Sequence, residues 1–368
     1  MKILLDNIIY SNVSQGGVSN YWYELSKFLL GKHEDTILFY EESDTKTNFH
    51  RNQLCIPDSQ LIINNNSFNS SIRRRLSSVK LNSEYRLDYF LYHSSYYRPI
   101  SGVKPHSEVT TVHDFTHNYF ASYLKRIAHN NLKYKAIKRS DGIICISDST
   151  YKDLKRFCPP SKNQKVEIIH NGVSKDYYKI EKSNEEVAIQ YLQSLGINNS
   201  YLLYIGSRVN YKNFAFSVKL FNEVPEFNLV IIGPELTQNE LKLFNKASLN
   251  RIHVISNVIN SDLNILYNFA HALLYPSSYE GFGIPIIEAM KAGCPVLALN
   301  NSSITEISGS AGILYDTLDI ELFKKALLKL KNVDFKEDLV AKGFLQSNKY
   351  SWDKCCRETY EFYKAINL

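Results

Sequence analysis

The stretch Tyr275-Pro276-Ser277-Ser278-Tyr279-Glu280-Gly281-Phe282-Gly283-Ile284-Pro285-Ile286-Ile287-Glu288-Ala289-Met290 carries the densest chemistry in this chain. Seven residues separate Glu280 from Glu288. A carboxylate accepts two hydrogen bonds side by side, so each glutamate suits the vicinal hydroxyls of a sugar. Two of them suit two sugars, such as a hexose and a ribose. A catalytic carboxylate pair of the glycosidase kind is the other reading. It fits less well, because a loop and a helical turn set the two groups at different depths. Pro285 belongs in the first turn of a helix. Gly281 and Gly283 let a ligand approach the backbone, and the N–H groups through Phe282 and Ile284 face an anion at the positive end of that helix.

Three other loops carry chemistry. Gly206-Ser207-Arg208-Val209-Asn210-Tyr211-Lys212-Asn213 directly follows an apolar run. The Arg208 fork and the Lys212 point charge suit a diphosphate, although an ordinary surface pair has the same composition. His113 follows the apolar run Val109–Val112. A general base, a hydrogen-bond partner of substrate and a packed structural histidine all fit it. Gly16 and Gly17 precede an amphipathic stretch reaching Leu29, so they serve either as a close-approach loop or as a plain hinge. The loop is neither a Gly-x-Gly-x-x-Gly fingerprint nor a P-loop.

The elements that must position these loops alternate short apolar runs with amphipathic stretches, the rhythm of βα units around a parallel sheet. Expected strands in the first half are Ile3–Leu5, Ile37–Phe39, Tyr89–Tyr92, Val109–Val112, Gly142–Ile146 and Val166–Ile169. In the second half they are Tyr201–Ile205, Leu229–Ile232, His253–Ile255, Ala272–Tyr275 and Pro295–Leu299. Helices are expected near 212–222, 238–247, 261–270 and 285–292. Residues 41–80 read as a polar excursion ending in Arg73-Arg74-Arg75, and 175–195 as a linker. The expected domains are 1–178 and 185–345, with a helix at about 350–368 returning to the first. Both are α/β and doubly wound, so a ligand cleft lies between them, beyond the carboxyl ends of the strands.

The 368 residues, 44% hydrophobic and 22% charged, are enough for two cores and exclude a disordered or fibrous chain. The net charge of +6 is unevenly placed. Residues 1–180 hold 25 basic and 17 acidic side chains, and residues 181–368 hold 18 and 20. From Phe115 to Ser140 there is no acidic residue, while Lys125, Arg126, Lys133, Lys135, Lys138 and Arg139 interleave with aromatic and aliphatic side chains. Residues 120–139 therefore suit an anionic membrane surface, or simply a solvated helix face. No run is long enough to span a bilayer, and the start does not read as a signal peptide. The six cysteines include no Cys-x-x-Cys pair, so no zinc site is indicated. A cytoplasmic protein is expected, either free or peripheral at the inner face of the membrane.

Taken together, Glu280-x7-Glu288 within Glu-Gly-Phe-Gly-Ile-Pro-x-x-Glu-Ala-Met resembles the signature of family 4 glycosyltransferases of the GT-B fold. The Gly-Ser-Arg-x-x-Tyr-Lys-Asn block, the Gly16-Gly17 loop, His113-Asp114, Ile144–Ser149 and Ile169–Val173 are similar to theirs, in the same order along nearly the whole chain. The resemblance implies two Rossmann-like domains facing an interdomain cleft. It implies that Glu280 contacts the donor sugar, Glu288 the ribose, and Arg208 and Lys212 the diphosphate. Gly16, Gly17, Ser207, Gly281, Phe282, Gly283 and Ile284 line the donor site, and His113 sits near the reacting carbon. Asn257 and Val258 approach the base. Glu306 carries over weakly, because the family's proline is missing from Ile304-Thr305-Glu306-Ile307. Trp352 anchors the final helix.

The implied reaction is hexosyl transfer with retention from a nucleotide sugar, without a metal or cofactor. GDP-mannose or another GDP-hexose is the first expectation for the donor, and a UDP-hexose the alternative. The acceptor is expected to be a lipid-linked or oligosaccharide glycan of O-antigen or capsule assembly. An epimerase or hydrolase on the same fold would need an ordered catalytic water and act without an acceptor, and a non-catalytic membrane partner would not need all of Glu280, Glu288, Arg208, Lys212 and His113. No nucleic-acid motif is present.

Overall fold

The computed structural model describes residues 1–43, 45, 48–64, 77–81 and 89–367. Arg73–Arg75 lie outside the described residues. The chain divides into two units, Met1–Gly172 with Trp352–Leu368, and Val173–Ser351.

The first unit is built on a seven-stranded sheet. Its strands are β1 (Lys2–Asp6), β2 (Thr36–Glu42), β3 (Leu61–Asn64), β5 (Leu91–Ser94), β7 (Ser107–Val112), β8 (Gly142–Cys145) and β9 (Lys165–Ile168); β4 (Val79–Lys80) and β6 (Ile100–Ser101) pair separately. The order is β3-β2-β1-β5-β7-β8-β9, parallel throughout. The stretch read as a polar excursion thus contributes an edge strand, β3, whose Leu61 and Ile62 pair with Phe39 and Tyr40. Fully buried Arg98 ties the sheet's carboxyl end together by ion pairs to Asp6 and Glu42. Buried charges persist only when paired and hydrogen-bonded like this.

The helix Trp352–Asn367 completes this unit. It packs on the helix Gly17–Leu30 and over β7 and β8. Tyr360 donates to Asp35, and the Tyr363 hydroxyl bonds the buried His93 ring. Trp352 is buried beside Tyr21, with ring centroids 6.4 Å apart. Gly142 makes the close approach possible: a Cβ there would stand 2.8 Å from the Phe362 ring.

The second unit has six parallel strands: β10 (Tyr201–Ile205), β11 (Asn228–Ile232), β12 (Ile252–Ile255), β13 (Ala272–Tyr275), β14 (Val296–Leu299) and β15 (Gly312–Tyr315). Their order is β12-β11-β10-β13-β14-β15. The central strands are buried on both faces, which is why they read as unbroken apolar runs. Three expectations need correction. The first unit ends at Gly172 rather than 178, because the Tyr178 and Ile180 amides donate to Asn264 and Asn268 of the second. The expected linker 175–195 contains a helix, Glu185–Ser194, that buries Ala188 and Leu192. The expected helix at 238–247 is also shorter, Gln238–Leu241, followed by a 3-10 segment Lys246–Arg251.

Candidate functional site

The strand order of the second unit reverses between β10 and β13, and open α/β sheets bind ligands at such a point, beyond the carboxyl ends. The loops leaving these two strands, 206–213 and 276–283, are stitched together there. Ser278 N donates to Tyr211 O at 2.7 Å, and Asn213 Nδ2 donates to Pro276 O at 2.7 Å and Ser278 Oγ at 2.8 Å. Asn213 adopts a left-handed conformation, φ 51°, that asparagine tolerates.

Across this seam the Lys212 ammonium donates to the Glu280 carboxylate. The lysine also lies over the Tyr275 ring, 5.5 Å from its centroid. Glu280 is held from behind by the helix Ser302–Ser308: its amide donates to Ser302 Oγ at 3.0 Å, and Ser303 Oγ donates to the carbonyls of Glu280 and Phe282 at 2.9 Å. The two serines were not singled out in the sequence, although hydroxyls just beyond an apolar strand were a legible signal. Gly283, at φ 100°, turns the chain into the helix Ile284–Lys291, with Pro285 in its first turn. Phe282 is buried edge-on against Tyr350, 5.6 Å between centroids, so its side chain serves packing and its backbone is what it can offer a ligand.

Arg208 does not share Lys212's partner. Its Nε donates to Glu240 Oε1 at 2.6 Å, Nη1 to Pro234 O at 2.9 Å, and Nη2 to Glu235 O at 2.8 Å. Hydrogen bonding from Arg208 is the first reason that the Glu240 carboxyl is held down to about 2. Glu240 was missed at sequence level; Thr237-x-x-Glu240 spells a capping box, which the structure forms. Ser207 accepts the Tyr204 hydroxyl on its carbonyl at 3.3 Å. Asn257, left-handed at φ 56° and exposed, and the half-buried Val258 follow β12, two strands away from β10.

Glu288 lies one helical stretch beyond Gly283, partly buried, and accepts from Tyr267 at 2.9 Å, with the Tyr177 hydroxyl nearby. Burial pushes its carboxyl up to about 7 despite both hydroxyls. Neither tyrosine was foreseen.

In the first unit His113 follows β7 and is buried edge-on to Tyr21, with centroids 5.1 Å apart. Burial pushes its imidazole down to about 4, so it is neutral at pH 7. Tyr21 belongs to the helix that starts at Gly17, so the Gly16-Gly17 loop and His113 share one support. Gly16 has open space on its Cβ side, and its carbonyl accepts from Asn20 N at 2.9 Å and Ser19 Oγ at 2.9 Å.

The helix Tyr123–Arg139 does not present all its cations. Lys133 is buried, with its ammonium on the Asp114 carbonyl and 4.4 Å from the Phe115 ring centroid, and Arg139 pairs with Glu108 at 2.6 Å. Phe120, Tyr123, Leu124, Ile127, Lys125, Lys135 and Lys138 remain exposed. Among the described residues no helix is long and apolar enough to cross a membrane.

Two family descriptions match the chain, one to each unit. Glycosyltransferase Family 4 matches residues 15–177, and Glycosyl transferases group 1 matches residues 190–342. The O-antigen chain mannosyltransferase B of Escherichia coli is 31% identical over 175 residues, covering 45% of this chain and 46% of that protein. The chain spans about half or less of the length of the first curated relatives that it matches. Sucrose-phosphate synthase from Thermosynechococcus elongatus superposes with a TM-score of 0.73 at 17% identity, covering 100% of this chain and 99% of that one. Anabaena HepE in complex with UDP and glucose gives 0.73 at 16% identity, covering 99% and 100%. At these identities the structural likeness speaks to the fold alone.

Proposed function

The chain belongs to the family 4 glycosyltransferases of the GT-B fold, and on that footing we propose that it moves a hexosyl residue from a nucleotide sugar to a glycan acceptor, with retention at the anomeric carbon. The observation that carries this reading is the Lys212–Glu280 pair at the reversal of strand order, beside the start of the helix Ile284–Lys291. A cation, a sugar-binding carboxylate and the positive end of a helix there answer the three parts of a nucleotide sugar's reacting end.

In the proposed reaction the bond from the anomeric carbon to the diphosphate oxygen breaks, and the acceptor oxygen bonds that carbon on the same face. The acceptor's proton passes to the departing phosphate oxygen. Lys212 and the helix N-terminus at Gly283 stabilise the charge that builds on the leaving group, without a metal. Arg208, paired with Glu240 as Lys212 is with Glu280, is the second cation for the diphosphate. A neutral His113 orients the sugar by hydrogen bonding and does not act as an acid.

The identity to an O-antigen chain mannosyltransferase supports GDP-mannose or another GDP-hexose as donor, and a surface glycan as acceptor. A UDP-hexose is the alternative donor; UDP and glucose are what Anabaena HepE, a protein of the same fold, holds in its complex. Thermal stabilisation by GDP, UDP and their sugars separates the two. Transfer by purified protein, lowered by about 10²–10³-fold in Glu280→Ala and Lys212→Ala, tests the reaction, and full transfer by either variant overturns it. Donor consumption without acceptor favours a hydrolase or epimerase instead.

The exposed aromatic and aliphatic side chains of 120–127, with Lys125, Lys135 and Lys138, support a peripheral contact with an anionic membrane at its cytoplasmic face. Equal binding to neutral and anionic vesicles at low salt would remove that contact.

A further inference from the structure

The segment that opens the second unit is fastened to the helix Asn260–Phe269 by three asparagines at four-residue spacing, which places them on one face. Asn260 Nδ2 donates to Asp176 Oδ2 at 2.8 Å. The buried Asn264 accepts the Tyr178 amide at 3.0 Å on Oδ1. Asn268 accepts the Ile180 amide at 2.8 Å and returns a bond to Tyr178 O at 2.9 Å, so it mimics a neighbouring strand. The outcome is a fixed place for one side chain. The buried Tyr177 donates its hydroxyl to Asn260 Oδ1 at 3.3 Å, near enough to the Glu288 carboxylate to favour its charged form. Tyr267, from the same helix as the asparagines, reaches Glu288 from the other side and stacks edge-on to Tyr177, 5.8 Å between centroids.

We propose that Tyr177 is a positioning residue for nucleotide recognition: held by the asparagine ladder, it works with Tyr267 to fix the rotamer and the charge of Glu288, so that the carboxylate meets the ribose hydroxyls of the donor. The proposal rests on the donor site described above and deepens it. A carboxylate that grips a diol must be ionised to accept from both hydroxyls. Burial works against ionisation, and the two phenols work for it. The other titratable groups near this cluster are Asp176, which acts on Tyr177, and Cys294, behind Tyr267. Burial holds both phenols and the Cys294 thiol in their neutral forms at pH 5 to 8. Glu288 is the member of the cluster carried into the neutral range, so ribose recognition strengthens as pH rises through about 7.

The test measures dissociation constants of GDP and UDP, and of their 2′,3′-dideoxy analogues, between pH 5.5 and 8.5 by calorimetry. The wild-type protein, Tyr177→Phe, Glu288→Gln and Asn264→Ala are compared, with circular dichroism and Tm for each. Wild type favours the ribonucleotide over the dideoxy form, and loses that preference below about pH 7. Tyr177→Phe weakens the ribonucleotide about tenfold at pH 7, leaves the dideoxy form unchanged, and moves the pH midpoint upward. Asn264→Ala reproduces that shift in part. Equal weakening of both nucleotides in Tyr177→Phe, or an unmoved midpoint, reduces Tyr177 to packing and overturns the proposal. If wild type binds neither nucleotide, or Glu288→Gln keeps the full preference, the donor-site reading itself has failed, and the proposal with it.

Discussion

Lys212 and Glu280 come from different loops, after β10 and β13, and neutralise each other across the one place where the strand order of their sheet reverses. Each is in the geometry the other imposes, so their single variants should not add. Lys212→Ala and Glu280→Ala are each expected to lower kcat/KM by about 10²–10³-fold. The double variant is expected to fall short of the product by a coupling of about 1–3 kcal/mol. Steady-state transfer in a four-member cycle measures it.

Arg208 and Glu240 give a pH signature in stability. Glu240 ionises at about 2 in the folded chain against an ordinary value of 4.5, so the unfolded chain binds the proton more readily between those values. The stabilisation is complete above about pH 5 and drains away as pH falls through 4.5 toward 2. The pair lies near the surface with the Glu240 carboxylate partly exposed, which limits it to about 1 kcal/mol. Thermal melts of wild type and Glu240→Gln are expected to differ at pH 7 and to converge toward pH 3.

His113 is neutral throughout the working range. His113→Ala should cost about 10–10³-fold in kcat if the ring orients the sugar. The wild-type kcat profile should show no ionisation of His113 above pH 5. A limb near pH 6.5 that disappears in the variant would reassign the imidazole as a proton carrier.

Gly142→Ala tests how the helix Trp352–Asn367 seats on the first unit. The new methyl meets Phe362 Cε1 at 2.8 Å and Ile366 Cγ1 at 3.0 Å. Overpacking of this kind costs about 1–3 kcal/mol. Denaturant unfolding should show that loss, and nucleotide-dependent stabilisation of the second unit should survive.

The sheets were legible where strands are buried on both faces: Leu202–Tyr204 and Leu273–Tyr275 have no polar residue to break the run. β15 was missed because Gly312–Tyr315 is half-buried and opens on glycine. β3 was missed because its three apolar residues, Leu61–Ile63, lie inside a long polar stretch and run straight into an asparagine tract. At the site, Lys212, Glu280 and Gly283 announced themselves by local spacing. Tyr177 and Glu288 are over a hundred residues apart, and nothing local joins them. Lys133 was read as surface charge because the helix Tyr123–Arg139 has so many cations; burial depends on which one faces Asp114.

The first unit takes its closing helix, Trp352–Asn367, from beyond the second. Synthesis from the amino end therefore delivers every piece of Val173–Ser351 before that helix exists. The second unit is the first that can be finished, and β7 and β8 wait meanwhile with the face around Gly142 uncovered. A nascent chain thus acquires a complete second unit while its first is still open.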